Sequence, residues 1–223
     1  MPTARDRARV LMTSDIKMEA RRQLAEVGAQ GLSLRAVARE LGMVSSALYR
    51  YFPSRDHLLT ELIIDAYNAI GAAAEDADQP QADLRGRWAA VWHAVREWAL
   101  AHPHEYTLIY GSPIPGYQAP QDTIAPAARV ALVLAGIVKE AEIEPPQVHV
   151  PLPGVLREQA ERLMASLESE VEPITVTRLL IAWTQLFGML NFELFGQYVG
   201  SVDPTDAFFA HTTEQMAEFI GLK

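Results

Sequence analysis

An all-α fold is what this sequence predicts, with about nine helices divided between a small N-terminal module (1–57) and a larger C-terminal one (58–223). Three observations carry the expectation. Apolar residues recur at three- and four-residue spacing along the chain, and no segment alternates with the period of two that a half-buried strand needs. Residues 32–62 hold two short amphipathic segments hinged at Gly42. Gly28, Gly42, Pro53, Pro80 and Pro103 fall where periodic segments stop.

Residues 1–12 are polar, with Arg5, Arg7 and Arg9 at alternate positions. They read either as a basic arm able to reach a phosphate or the minor groove or as a disordered tail. The first helix is expected from Thr13 or Ser14 to Val27. Ile16, Ala20, Leu24 and Val27 make its inner stripe, Lys17, Arg21 and Arg22 face away, and Gly28 ends it. Ser33 is placed to cap the next helix, because its hydroxyl can accept a backbone N–H left unpaired at a helix start. Leu34, Val37, Ala38 and Leu41 form one apolar face, and Gly42 follows where a residue tolerant of positive φ is favoured. Ser45 is expected to cap a second short helix with Leu48 and Phe52 inside and Ser45, Ser46, Tyr49 and Arg50 outside. Pro53 disfavours helical geometry at Phe52 and closes it. Ser54 then caps a long helix with Leu58, Leu59, Leu62, Ile63, Ala66 and Ile70, and Asp56 sits in its first turn, where negative charge is favoured.

Two short helices around a glycine-bearing turn, with a polar and aromatic outer face, form the helix-turn-helix pattern. Its second helix carries the groove-reading side chains. A helical hairpin inside an ordinary all-α domain has the same spacing. Charge favours the first reading. The net charge is −9, but residues 1–57 hold ten Lys/Arg against six Asp/Glu, net +4, while 58–223 hold nine against twenty-two, net −13. A basic end on an acidic body suits a protein that presents one end to DNA phosphates.

Leu32–Gly42 (LSLRAVARELG), Ser45–Phe52 (SSALYRYF), Arg55 and the pair Leu58-Leu59 closely resemble the DNA-binding domain of TetR-family transcriptional regulators. The likeness runs over about Ile16–Ala66. It implies an all-α homodimer with a ligand-binding C-terminal domain, and repression released by a small molecule. Carried onto this sequence, it implies DNA contacts from Arg35, Ser45, Ser46, Tyr49, Tyr51 and Arg55. Arg35 suits a guanine edge, whose two acceptors match its paired donors, and Arg55 suits a phosphate. Val44 and Ala47 are small enough only for thymine methyls. A two-fold dimer implies a near-palindromic operator in double-stranded DNA.

The acidic stretch 75–83 contains Pro80 and marks a boundary. Asp83 can cap a helix with Trp88, Val91, Trp92, Val95 and Ala99 along one face. Pro103 ends it and can begin a short helix through Tyr110, and the prolines of 112–120 make an irregular turn. A helix follows over about Thr123–Ala141, and Pro145, Pro146, Pro151 and Pro153 mark a loop. Leu156, Leu163 and Leu167 lie on a further helix closed by Pro173. Ile174–Val199 is apolar on most sides and must be covered on all of them. Asp203 then caps a last helix with Pro204 at its first position and Phe208, Phe209, Met216 and Phe219 along it.

Trp92–Ala99, His102–Tyr106 and Pro113–Tyr117 also resemble a tryptophan-containing C-terminal domain of some TetR-type regulators. That family holds its ligand between body helices, which points to Trp88, Trp92, Tyr106, Tyr110, Trp183, Phe187 and Asn191 as a pocket set, although helical spacing equally makes each of them core. The same resemblance, with the apolar surplus of the last two helices, implies a four-helix interface between two copies, including Phe209 and Met216. No cofactor is expected. With no cysteine, the chain has no disulfide or thiolate site. His102, His104 and Glu105 fit no standard zinc spacing, and neither a phosphate-binding glycine loop nor Gly-x-Ser-x-Gly occurs. An all-α enzyme is the remote alternative, and a regulator controlled by a protein partner the nearer one. The N-terminus lacks the apolar run of a signal peptide, and no stretch reads as a membrane span. A cytoplasmic protein is expected.

Overall fold

The computed structural model describes residues 3–143, 150–166 and 171–223. Pro145, Pro146 and Leu167 lie outside them. Among the described residues there are ten α-helices and no strand. The helices are α1 (Ala4–Gly31), α2 (Leu34–Glu40), α3 (Ser45–Leu48), α4 (Arg55–Ala77), α5 (Leu84–Ala101), α6 (Pro103–Tyr110), α7 (Ile124–Glu140), α8 (Gly154–Ser166), α9 (Pro173–Leu194) and α10 (Thr205–Ile220), with a 3₁₀ turn at Gln121–Thr123. The all-α expectation holds.

By packing, the chain divides into Met1–Ala69 with His102–Ala127, and Ile70–Ala101 with Ala128–Lys223. This is a different division from the functional one at residue 57. It arises because α6 packs on α1 and the turn residues Ile114 and Tyr117 pack on the core of the first unit. That core consists of Ile16, Ala20 and Leu24 of α1, Leu34 and Val37 of α2, Leu48 of α3, Phe52, and Leu58, Leu59 and Leu62 of α4.

Several boundaries differ from the sequence reading. α1 begins at Ala4, more than two turns early, because Thr3 and Asp6 form a capping box: Thr3 N–H donates to Asp6 (2.9 Å) and Asp6 N–H to the Thr3 hydroxyl (3.2 Å). Residues 4–12 are therefore helical. Gly28 breaks the helical geometry as expected (φ 68°), but Val27 is 56% exposed and Gln23 takes the inner place. Ser45 is the first residue of α3 rather than its cap. Val44 holds the cap position and makes no side-chain bond. Pro173 opens α9 instead of closing α8, and α9 stops at Leu194 ahead of two positive-φ glycines, Gly196 and Gly200. Pro204, not Asp203, occupies the N-cap of α10.

The second unit packs α10 on α5 and α9, and α8 on α9. Trp88 and Trp92 of α5 meet Phe209 of α10: Trp88 and Trp92 are 5.4 Å apart between ring centres, and Trp92 and Phe209 6.1 Å. Phe209 was expected at an interface between copies. It is 1% exposed in the single chain, with the Arg96 guanidinium over its ring, so it belongs to the core. Arg96 donates to both carboxylate oxygens of Glu193 (2.8 and 2.6 Å) and to Asp206 (2.5 Å), tying α5 to α9 and α10. Arg87 does the same between Asp78 and Glu140.

Two segments, Gln121–Glu140 and Pro173–Leu194, do reach the length and mean hydropathy (1.3 and 1.2) of a membrane span, which corrects the sequence reading. α9 packs along α5, α8 and α10 and buries Arg178 and Thr175, the pattern of a core helix.

Candidate nucleic-acid interface

The reading head is built by local rules. Ser33 caps α2 by accepting the Ala36 N–H (3.4 Å), which fixes where that helix starts. Gly42, at φ 64°, turns the chain, and the Met43 N–H returns to the Ala38 carbonyl (2.8 Å). Nothing lies within 4 Å of a Cβ added at Gly42, so the backbone angle alone demands glycine there. Leu48 and Phe52 are buried under α3, and the Ser54 hydroxyl accepts the His57 N–H (3.1 Å) to start α4.

This scaffold leaves a consistent outer surface. Arg35, Val44, Ser46, Tyr49 and Arg50 are exposed, and Ser45 is half-buried. Tyr51 is half-buried, packs against the core and carries the Arg9 guanidinium over its ring at 6.0 Å. Arg55 differs most from its expected place. Its guanidinium donates to the carbonyls of Ala29 (2.6 Å) and Leu32 (3.2 Å), pinning the turn between α1 and α2.

The basic charge of the head sorts into two groups. Lys17 pairs with Glu61 (2.9 Å) and Asp65 (3.0 Å), Arg21 with Asp65 (2.7 Å) and Glu105 (2.9 Å), and Arg22 with Glu19 and Glu26. These pairs clamp α1 to α4 and α6 or brace α1 itself. Arg5, Arg9, Arg35 and Arg50 are exposed and have no ion pair among the described residues. Sequence reasoning counted all these charges alike. Only the fold separates cations spent internally from those presented outward.

The aromatic residues expected to line a ligand pocket are distributed over both units. Trp88 and Trp92 are in the core of the second unit, and Trp88 Nε1 donates to the Thr213 carbonyl (3.2 Å). Tyr106 and Tyr110 belong to the first unit, where Tyr110 meets Tyr67 edge-on at 5.8 Å. Phe187 packs edge-on against Trp183 at 5.6 Å, and Asn191 is half-buried. A cavity lies between α7, α8 and α9 of the second unit. It measures about 420 Å³ and is lined almost wholly by apolar groups, among them Leu132, Leu163, Met164, Val176, Leu179 and Trp183. Trp183 is the one member of the expected set on its wall, and its buried Nε1 has no hydrogen-bond partner among the described residues. The small residues Ala128, Ala131, Ala135 and Gly136 of α7 open this space. Their i, i+3, i+4 recurrence is the sequence signal that aromatic counting passed over.

Burial pushes the phenols of Tyr67, Tyr106 and Tyr110 above their ordinary value. In the unfolded chain they titrate near ~10. Below that pH both states keep their protons and full stability is present. As pH rises above it, the unfolded chain ionises first and stability falls toward the folded values. The melting temperature is therefore expected to drop from about pH 10 upward, while phenolate absorbance of the folded protein lags for these three tyrosines. All seven tyrosines titrating together in the folded state would refute this.

The profile described as "Bacterial regulatory proteins, tetR family" matches residues 18–62, and that described as "Tetracyclin repressor-like, C-terminal domain" matches 88–216. An HTH-type transcriptional regulator of Mycobacterium tuberculosis is 40% identical over 205 residues, spanning 86% of this chain and 85% of that one. An HTH-type transcriptional repressor of Streptomyces coeruleorubidus is 35% identical over 114 residues, 48% of this chain and 39% of its own length. The crystal structure of a protein described as regulatory, SCO4313, superimposes with a TM-score of 0.80 at 34% identity and covers 97% of this chain and 100% of that one.

Proposed function

The chain belongs to the TetR family of helix-turn-helix transcriptional regulators, and from that premise we propose that it is a dimeric cytoplasmic repressor that leaves a near-palindromic operator when a small, largely apolar molecule binds. DNA binding is assigned to residues 1–57, and ligand binding and dimerisation to 58–223. The observation that carries the DNA assignment is the exposed set Arg35, Ser46, Tyr49 and Arg50 around α2 and α3, whose two arginines have no ion pair among the described residues. Ser45 completes the reading face. Tyr51 and Arg55 serve it from beneath, by packing and by holding the α1–α2 turn. The apolar cavity between α7, α8 and α9 supports the ligand reading, and the name of the Streptomyces relative is in keeping with repression.

Dimerisation is assigned to the outer faces of α9 and α10. Ile181, Phe192 and Phe195 are about half exposed, and Phe208 is 39% exposed. Ile181, Gly188 and Phe192 recur at helical spacing along one face of α9, Phe195 follows at its C-cap, and Gly188 leaves room for close approach. A two-fold contact lets such a patch bury itself against its copy. Met216 is half-buried at the edge of this region, whereas Ala182 and Phe209 are inside the chain's own core. Ile181→Asp with Phe192→Asp is expected to turn a dimer into a helical monomer in sedimentation and to weaken operator binding. A wild type that sediments as a monomer at micromolar concentration and still binds the full operator tightly would sink the dimer reading. Selection of bound sequences from a random duplex pool tests the operator: two inverted half-sites about 34 Å apart, or a multiple, are expected, and a single unpaired site would contradict it.

A further inference from the structure

The first turns of α1 precede the segment that the family profile matches, which begins at residue 18. They are a capped helix with a defined orientation. At 100° per residue, Arg5, Arg9, Met12 and Ile16 share one side of that helix, within about 60° of one another. Ile16 is fully buried in the head and Met12 packs against the same core, so this side is anchored inward at its C-terminal end. The same side continues outward as Arg9, whose guanidinium lies over the ring of Tyr51, and then as Arg5 one turn further. Tyr51 follows α3 in the chain, so the stripe runs out beside the reading helix. Arg5 and Arg9 are exposed and have no acidic partner among the described residues. Arg7 lies on the opposite side. Asp6, the one acid of the segment, is committed to the cap with Thr3.

Arginines near the start of a helix oppose its dipole. Here they are retained on the side that borders the recognition segment, where an anion would offset the repulsion. We propose that the α1 extension is a second phosphate-holding element: Arg5 and Arg9 grip the sugar–phosphate backbone of the duplex read by α3, adding affinity and salt sensitivity without adding base preference. The proposal rests on the DNA-binding reading of the head. Phosphate contacts carry no sequence information directly, so a random-sequence duplex is a sufficient probe.

The test is the dissociation constant for a fluorescent random-sequence duplex, measured against salt. Each phosphate contact contributes about 0.9 to the slope of log affinity on log salt. Arg5→Ala with Arg9→Ala is expected to lower the slope by about 1.8 per protomer, with circular dichroism and melting unchanged because both side chains are exposed. Arg5→Lys with Arg9→Lys keeps the charge and should keep most of the slope. Arg7→Ala should lower it by less than about half of one contact. An unchanged slope in the Arg5/Arg9 alanine variant overturns the proposal. So does an Arg7→Ala loss as large as half that of the Arg5/Arg9 alanine variant, which would mean an unoriented cationic tail. A wild type that binds no duplex at all would remove the premise as well.

Discussion

Replacing Arg35 and Tyr49 together by alanine is expected to lower operator affinity by about 30- to 700-fold per half-site and to shift the melting temperature by no more than about 4 °C. The binding loss comes from two contacts. A bidentate arginine–guanine pair is worth about 1–3 kcal/mol of discrimination, and a tyrosine hydroxyl on the DNA backbone about 1 kcal/mol. The small stability effect follows from position. Arg35 is exposed with no ion pair among the described residues, Tyr49 is 43% exposed at the end of α3, and surface substitutions of this kind stay within about 0.5 kcal/mol each. Arg55→Ala makes the informative contrast. It strips donors from the carbonyls of Ala29 and Leu32, so melting temperature and DNA binding should fall together. Band shifts on a selected operator, run beside thermal melts, check all three. Wild-type affinity in the Arg35/Tyr49 variant would remove these residues from the interface.

Trp88→Ala is expected to cost about 3–5 kcal/mol of stability, a fall of about 6–20 °C in melting temperature. The indole is fully buried against Trp92, and its N–H satisfies the Thr213 carbonyl of α10. Removing it leaves a cavity and breaks the side-chain link from α5 to α10. This separates two roles that sequence reasoning could not separate. A pocket-lining tryptophan can be exchanged at modest cost, and Trp183→Phe, at the wall of the α7–α8–α9 cavity, should behave that way because its Nε1 has no hydrogen-bond partner among the described residues. Denaturant or thermal unfolding of both variants decides it. Trp88→Ala that melts like the wild type would return Trp88 to the list of ligand residues.

The sequence by itself determined the helical class, the helix-turn-helix and its outward residues. Those features follow from local physics: the cap at Ser33, the positive φ at Gly42, the proline stop at Phe52, and an apolar period that hides Leu48 and exposes Ser46 and Tyr49. Each can be read within one or two turns of chain. The Thr3–Asp6 capping box was equally local, and it alone would have announced the early start of α1. Only the tertiary structure decided what each long-range partner does. Phe209 and the exposed Phe208 are neighbours in sequence on an apolar helix, yet only the packing of α10 against α5 assigns the first to the core. Arg55 and Arg35 look alike as cations of the head, and only the return of the α1–α2 turn to Arg55 spends its donors internally. Trp88 and Trp183 are both helical tryptophans, and only α10 supplies the carbonyl that makes Trp88 structural while the small residues of α7 leave space beside Trp183. Helical spacing sets which side of a helix a residue occupies. What covers that side is set by elements dozens of residues away, and burial, pairing and vacancy follow from that alone.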